Sequence, residues 1–190
     1  MTPSRRTLLL QLAALAGLAA LLAMALAATD GAQATITGKP LPSPGSDWVI
    51  DNDTVVVAET ISLSGSIVVA PGHSLQVWNS TINITSAAPG QKGVNVQANQ
   101  TASGQLNLTS TTLQATTMAN GYTFLIDGNA SLVDSALIGV FNGVRIRNDP
   151  VTISGCSVRA TGTHGIYVEG ASPGISGTRV FLSVATAPLK

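Results

Sequence analysis

An all-β solenoid is the fold class this chain predicts, and three observations carry it. The first is a phrase, apolar–x–(Asn/Asp/Gly)–small–x–apolar, that occurs five times. Its copies are Val77–Ile82, Leu108–Leu113, Leu132–Leu137, Ile153–Val158 and Ile175–Val180, with first residues 31, 24, 21 and 22 positions apart. The second is a shorter phrase running in step with it, at Gly93–Val96, Gly121–Phe124, Gly143–Ile146 and Gly165–Val168. The third is composition: only 9% of residues are charged and 4% aromatic. Gly, Ser, Thr, Asn and Val predominate, and these residues suit pleated strands and tight bends rather than helices. Two coupled repeats at a pitch near ~22 residues imply stacking, because one such unit buries its apolar face only against its neighbours.

The N-terminal region is set apart. Arg5-Arg6 precede Leu8–Ala28, which is apolar apart from Gln11 and Gly17, and Ala32-Gln33-Ala34 offers a small-residue cleavage site. These are the three parts of a secretory signal peptide. The apolar run is also long enough to serve as a retained membrane-anchor helix, since a helix rises ~1.5 Å per residue across a core of ~30 Å. Residues 1–34 are therefore expected to be a signal peptide or anchor, and the remainder exported, whether extracellular, at the cell surface or periplasmic. Ser4–Leu9 resembles a twin-arginine signal, but the following position is Leu10 rather than Lys, which favours the general secretory route. The only cysteine is Cys156, far from any lipidation site.

Residues 35–47, with Pro40, Pro42, Pro44 and Gly45, read as a Pro/Gly-rich linker. Residues 48–190 are expected to form the solenoid. Thr54–Ala58, Ile61–Leu63, Ile67–Ala70, Leu75–Val77, Thr81–Thr85, Val94–Gln97 and Leu106–Leu108 are strand-length, period-2 runs separated by turn residues. Phe181–Val184 reads as a last strand with no polar cap after it. The expectation is therefore a C-terminally incomplete solenoid, with further rungs or a partner at its open end.

The first phrase translates into geometry. Its third position (Asn79, Ser110, Asp134, Gly155, Gly177) is a bend with positive φ, which Gly, Asn and Asp tolerate best. Its fourth position (Ser80, Thr111, Ser135, Cys156, Thr178) points inward and forms a ladder of small residues. Cys156 is thereby expected to be a ladder residue rather than a reactive thiol. Three short strands per rung with this bend resemble the right-handed, single-stranded parallel β-helix. Specifically, they resemble the parallel β-helix repeat family of pectate lyases, polygalacturonases and NosD-like surface proteins, over residues of about 48–182.

That resemblance implies a fold that hosts polysaccharide lyases and hydrolases, a chemistry that needs carboxylates or bases converging on one outer face. Asp127 and Asp149 follow the second phrase at equal offsets, which would place them in register on adjacent rungs. As such they are candidates for an acid/base pair or a Ca²⁺ site. Asp51 and Asp53 are a second Ca²⁺ candidate; otherwise no cofactor is expected. Thr163-His164-Gly165 resembles the Gly-His-Gly of polygalacturonases, yet Arg145-Ile146-Arg147 lies upstream of the histidine and no Asp-Asp pair exists. The family's catalytic set does not carry over, and His164 reads as an exposed turn residue. His73 and His164 are too few for a metal cluster. Arg147 and Glu169 align as a surface ion pair, and Tyr167 beside them aligns with Arg145, which reads first as a cross-rung structural contact and second as a patch able to stack on sugar rings.

Six of the ten asparagines lie in Asn-x-Ser/Thr sequons: Asn52, Asn79, Asn83, Asn99, Asn107 and Asn129. Asn83 and Asn107 are the better glycosylation candidates, because their apolar neighbours turn them outward on strands. Net charge is zero and basic runs are absent beyond Arg5-Arg6, which excludes a nucleic-acid partner. Membrane contact is expected only through the N-terminal segment. The reading is an exported, cell-surface β-helix with a structural, adhesive or carbohydrate-associated role and an extracellular or cell-wall polysaccharide as partner. A polysaccharide lyase or glycoside hydrolase is the alternative; a NosD-like metal-delivery role is disfavoured by the shortage of ligands.

Overall fold

The computed structural model describes residues 34–183. The expected signal or anchor, residues 1–34, lies outside the described residues apart from Ala34, as do Val184 and the residues after it. The described chain is a parallel β-solenoid of about six turns. Each turn contributes one strand to each of three faces.

The first face stacks β2 (Trp48–Ile50), β5 (Ile67–Val69), β8 (Gly93–Val96), β11 (Tyr122–Ile126), the second half of β13 (Ala136–Ile146) and β16 (Ile166–Val168). The second face stacks β3 (Thr54–Val57), β6 (Ser74–Trp78), β9 (Gln105–Thr109), β12 (Asn129–Val133), β14 (Val151–Ser154) and β17 (Gly174–Ser176). The third face comprises β4 (Thr60–Leu63), β7 (Thr81–Ile84), β10 (Thr112–Ala115), the first half of β13, β15 (Ser157–Thr161) and β18 (Arg179–Ser183). All these neighbours pair in parallel.

Alternation builds the core. Up to the last turn, strand residues pointing inward (Ile50, Val56, Val77, Leu108, Leu132, Ile153 and their equivalents) are buried, while their neighbours face outward. On the second face Val56, Val77, Leu108, Leu132, Ile153 and Ile175 stand in one column. Tyr122 is fully buried, and its hydroxyl donates to the Leu113 carbonyl at 3.0 Å, which satisfies the one polar atom it carries inside. The strands of the second face contain no charged residue, so its outer surface is neutral, with amide and hydroxyl side chains beside outward Val55, Val57, Trp78 and Val133.

Two differences from the sequence expectation have physical causes. Residues 35–47 are not a free tether. β1 (Thr35–Thr37) pairs antiparallel with β3, Lys39 N–H donates to Thr54 Oγ1 at 2.9 Å, and Trp48 Nε1–H donates to the Pro40 carbonyl at 2.9 Å. The segment covers the N-terminal edge because a buried indole and a free strand edge both need partners. Secondly, Gly121 is not the rung-equivalent of Gly93, Gly143 and Gly165. Thr123 pairs with Gly93, and Phe124 pairs with both Val94 and Val144. β13 runs unbroken from the third face into the first; it bulges at Gly139 (φ +80°) against β15, and against β11 it carries two extra residues between Val140, the partner of Tyr122, and Val144, the partner of Phe124, which displaces the fourth rung by two residues.

Candidate functional site

The register correction decides the fate of the carboxylate pair. Because Ile126 pairs with Ile146, the residue opposite Asp127 is Arg147, not Asp149. Arg147 grips Asp127 with both arms of its fork, Nε to Oδ1 at 2.6 Å and Nη2 to Oδ2 at 2.7 Å, and Asn148 Nδ2 donates to the Asp127 carbonyl. Donating these hydrogen bonds to the Asp127 carboxylate raises the Arg147 pKa above its usual value. Asp149 accepts instead from Ser172 N–H at 2.9 and 3.0 Å. The two aspartates therefore do not face one another as an acid/base pair.

The second pair of Ca²⁺ candidates, Asp51 and Asp53, is engaged separately as well. Asp51 pairs with Lys39 at 2.7 Å, a contact that holds its carboxyl below the ordinary range, while Asp53 Oδ1 accepts from Ser74 N–H at 2.8 Å. Among the described residues no three His, Cys, Asp or Glu side chains converge on a metal-sized site. Glu169 takes its ion pair from Arg145 (Nε to Oε2, 3.1 Å) rather than from Arg147, because Asp127 already holds that guanidinium.

The ladder residues close the bends. Ser80, Thr111, Ser135 and Cys156 are buried, and Thr178 is half-buried in the last turn. Each donates to the carbonyl two residues earlier: Ser80 to Trp78, Thr111 to Thr109, Ser135 to Val133, Cys156 to Ser154, and Thr178 to Ser176. Thr111, Cys156 and Thr178 also reach the preceding rung, at the carbonyls of Val77, Leu132 and Ile153. Burial pushes the Cys156 thiol above its ordinary pKa, so it is held protonated and unreactive.

Where the first face meets its flanking turn, β13 and β16 bring together a different set. Arg145 and Tyr167 are register partners, with the guanidinium carbon 5.7 Å from the ring centroid, and His164 tilts against the same ring at 5.2 Å. Thr163 Oγ1 lies 2.7 Å from His164 Nδ1. A shallow hollow of about 340 Å³ is lined by Asn142, Arg145, Thr163, His164 and Tyr167. A neighbouring one of about 330 Å³ shares Asn142 and Arg145 and adds Phe141. His164 is thus an exposed turn residue that completes an aromatic patch. Asn142 and Phe141 were not singled out from the sequence. Their signal was the Asn142-Gly143 dipeptide, where both residues take positive φ (57° and 82°) and turn the chain beside the patch.

All six sequons lie among the described residues. Asn83 and Asn107 do face outward, but both are half-buried, and the Asn83 amide oxygen accepts from Gln114 Nε2 on the next rung at 2.7 Å. Asn129 is half-buried as well, whereas Asn52, Asn79 and Asn99 are exposed. No family model, curated protein or solved structure matches this chain.

Proposed function

We propose that this protein is an exported, right-handed parallel β-helix of the pectate-lyase-like kind that serves at the cell surface as a non-catalytic, carbohydrate-associated adhesive module. The observation that carries the reading is the exposed patch of Tyr167, His164, Arg145 and Asn142. An aromatic face suits the apolar C–H face of a sugar ring, while amide and guanidinium donors suit its hydroxyls. Export rests on the charged, apolar and small-residue sections of 1–34. Right-handed winding is supported by the strand twist, which favours right-handed crossovers between parallel strands. The neutral second face supplies a broad plane that can lie along an uncharged polymer without desolvating ions.

Pull-down of the protein on insoluble neutral β-glucan and on polygalacturonate gel tests the reading. Tyr167→Ala is expected to weaken retention roughly ten-fold, about 1.4 kcal/mol. Unchanged retention would remove the patch from the binding surface. Glycan turnover by the wild type that disappears in the Asp127→Asn/Asp149→Asn double variant would establish the hydrolase or lyase alternative instead.

A further inference from the structure

We propose that Asn99 is the N-glycan acceptor of this protein, an assignment that rests on the export reading above. The sequence favours Asn83 and Asn107 for their apolar neighbours, but the structure ranks the six sequons differently. Only Asn99-Gln100-Thr101 is exposed at all three positions. In Asn52-Asp53-Thr54 the threonine is fully buried, with its hydroxyl given to the Asn52 carbonyl. In Asn79-Ser80-Thr81 the central serine is a buried ladder residue. Asn83, Asn107 and Asn129 sit within strands, each half-buried and each followed by a buried residue (Ile84, Leu108, Ala130). A transferase must hold an asparagine and read the hydroxyl two residues later. At those five sites it would have to pull a strand or a bend out of the solenoid.

Asn99 is placed differently. It opens a small hairpin that leaves the solenoid between β8 and β9, closed by an antiparallel bridge from Ala98 to Ser103. Asn99 N–H donates to the Ala102 carbonyl at 2.8 Å, and Gly104 N–H donates to Gln97 at 2.7 Å. The hairpin therefore stands out from the ladder; its one backbone tie to the preceding rung, Gly72 N–H to the Ser103 carbonyl at 3.1 Å, lies outside the sequon itself. Within it, Asn99 Oδ1 accepts three bonds, from Thr101 N–H (2.9 Å), Thr101 Oγ1 (3.1 Å) and Ala102 N–H (2.8 Å). These fix the carboxamide plane and, by drawing charge onto the oxygen, acidify the Nδ2 protons.

The reaction is transfer from a lipid-linked oligosaccharide diphosphate. A bond forms between Nδ2 and the anomeric carbon while the bond from that carbon to the diphosphate oxygen breaks. The electron pair leaves with the lipid diphosphate, and the Nδ2 proton passes to the transferase's base. The folded full chain, in detergent, would be incubated with a single-subunit oligosaccharyltransferase that reads Asn-x-Ser/Thr and with its lipid-linked oligosaccharide. Intact mass and glycopeptide mapping are expected to show one glycan, at Asn99. It is lost in Asn99→Gln and Thr101→Ala, retained in Thr101→Ser, and joined by glycans at further sequons when the chain is first unfolded in urea. Modification of the folded chain at Asn83, Asn107 or Asn129 in preference to Asn99, or none at Asn99, overturns the assignment. Failure of the export reading shows separately: the same chain expressed in cells would stay in the cytoplasm, whatever the purified transferase does to Asn99.

Discussion

A hydroxyl or thiol at the ladder position holds a bend closed from inside by donating to the carbonyl two residues earlier, and at Cys156 that donor also ties two rungs. Serine offers the same donor at the same place, as Ser135 does one rung earlier, so Cys156→Ser is expected to change stability by no more than about 1 kcal/mol. Cys156→Leu is expected to cost several times that, because the added carbons overpack the interior and remove the donor. Urea midpoints of the three proteins check both values. The thiol also sets a pH dependence. Burial raises its pKa above the ordinary 9.0, so the folded state keeps the proton that the unfolded state releases. The native advantage is intact below pH 9 and declines as pH rises through the folded-state value. The difference in stability between the wild type and Cys156→Ser should therefore open only in alkali, and iodoacetamide should label Cys156 at neutral pH only after denaturant is added.

At the scale of the element, the bend is the part most legible in the sequence. Asn79, Ser110, Asp134, Gly155 and Gly177 all have φ between +48° and +65°. These were readable because few residue types tolerate that backbone, so chemistry and geometry point to the same position. A sixth copy was not readable. Val56–Ile61 makes the same bend through Ala58 (φ +54°), and alanine carries no such signature. Ala58→Gly should relieve a left-handed alanine and raise stability by roughly 0.5–1 kcal/mol, whereas Ala58→Val should lower it; thermal melts decide. The second phrase misled for the opposite reason. Its glycines mark close approaches and turns, which recur without obeying one register, and Gly121 belongs to the turn before β11. The two-residue displacement at β13 exchanged the partner of Asp127 from Asp149 to Arg147, and with it a candidate active site became an ion pair. Tyr167 opposite Arg145 was legible because those rungs hold a 22-residue spacing with no bulge between them. Phe141 and Asn142 were not, since they enter the patch from a strand that crosses a corner, which no repeat period encodes.

Across the whole described solenoid, stability is a sum over stacked turns, and the two ends differ in how that sum terminates. In the last turn the inward side chains Ile175, Val180 and Leu182 are 45%, 45% and 52% exposed, although their register partners Ile153, Val158 and Ala160 are fully buried. At the first turn, Trp48, Ile50 and Val56 are fully buried because residues 35–47 lie over that edge. Without this segment β3 would present unpaired N–H and C=O groups, and the buried Trp48 indole would lose its acceptor. A chain starting at Asp47 is expected to lose on the order of 3 kcal/mol, which for a domain of this size corresponds to roughly 6–12 °C in Tm. It should also associate as concentration rises, because a free flat edge recruits another strand. Light scattering and melting of proteins beginning at residues 34 and 47 test this. Equal Tm and equal mass would mean that the first turn supports itself. A lower Tm with a monomeric mass would place the segment's contribution in the Trp48 hydrogen bond and core packing rather than in protection of the edge.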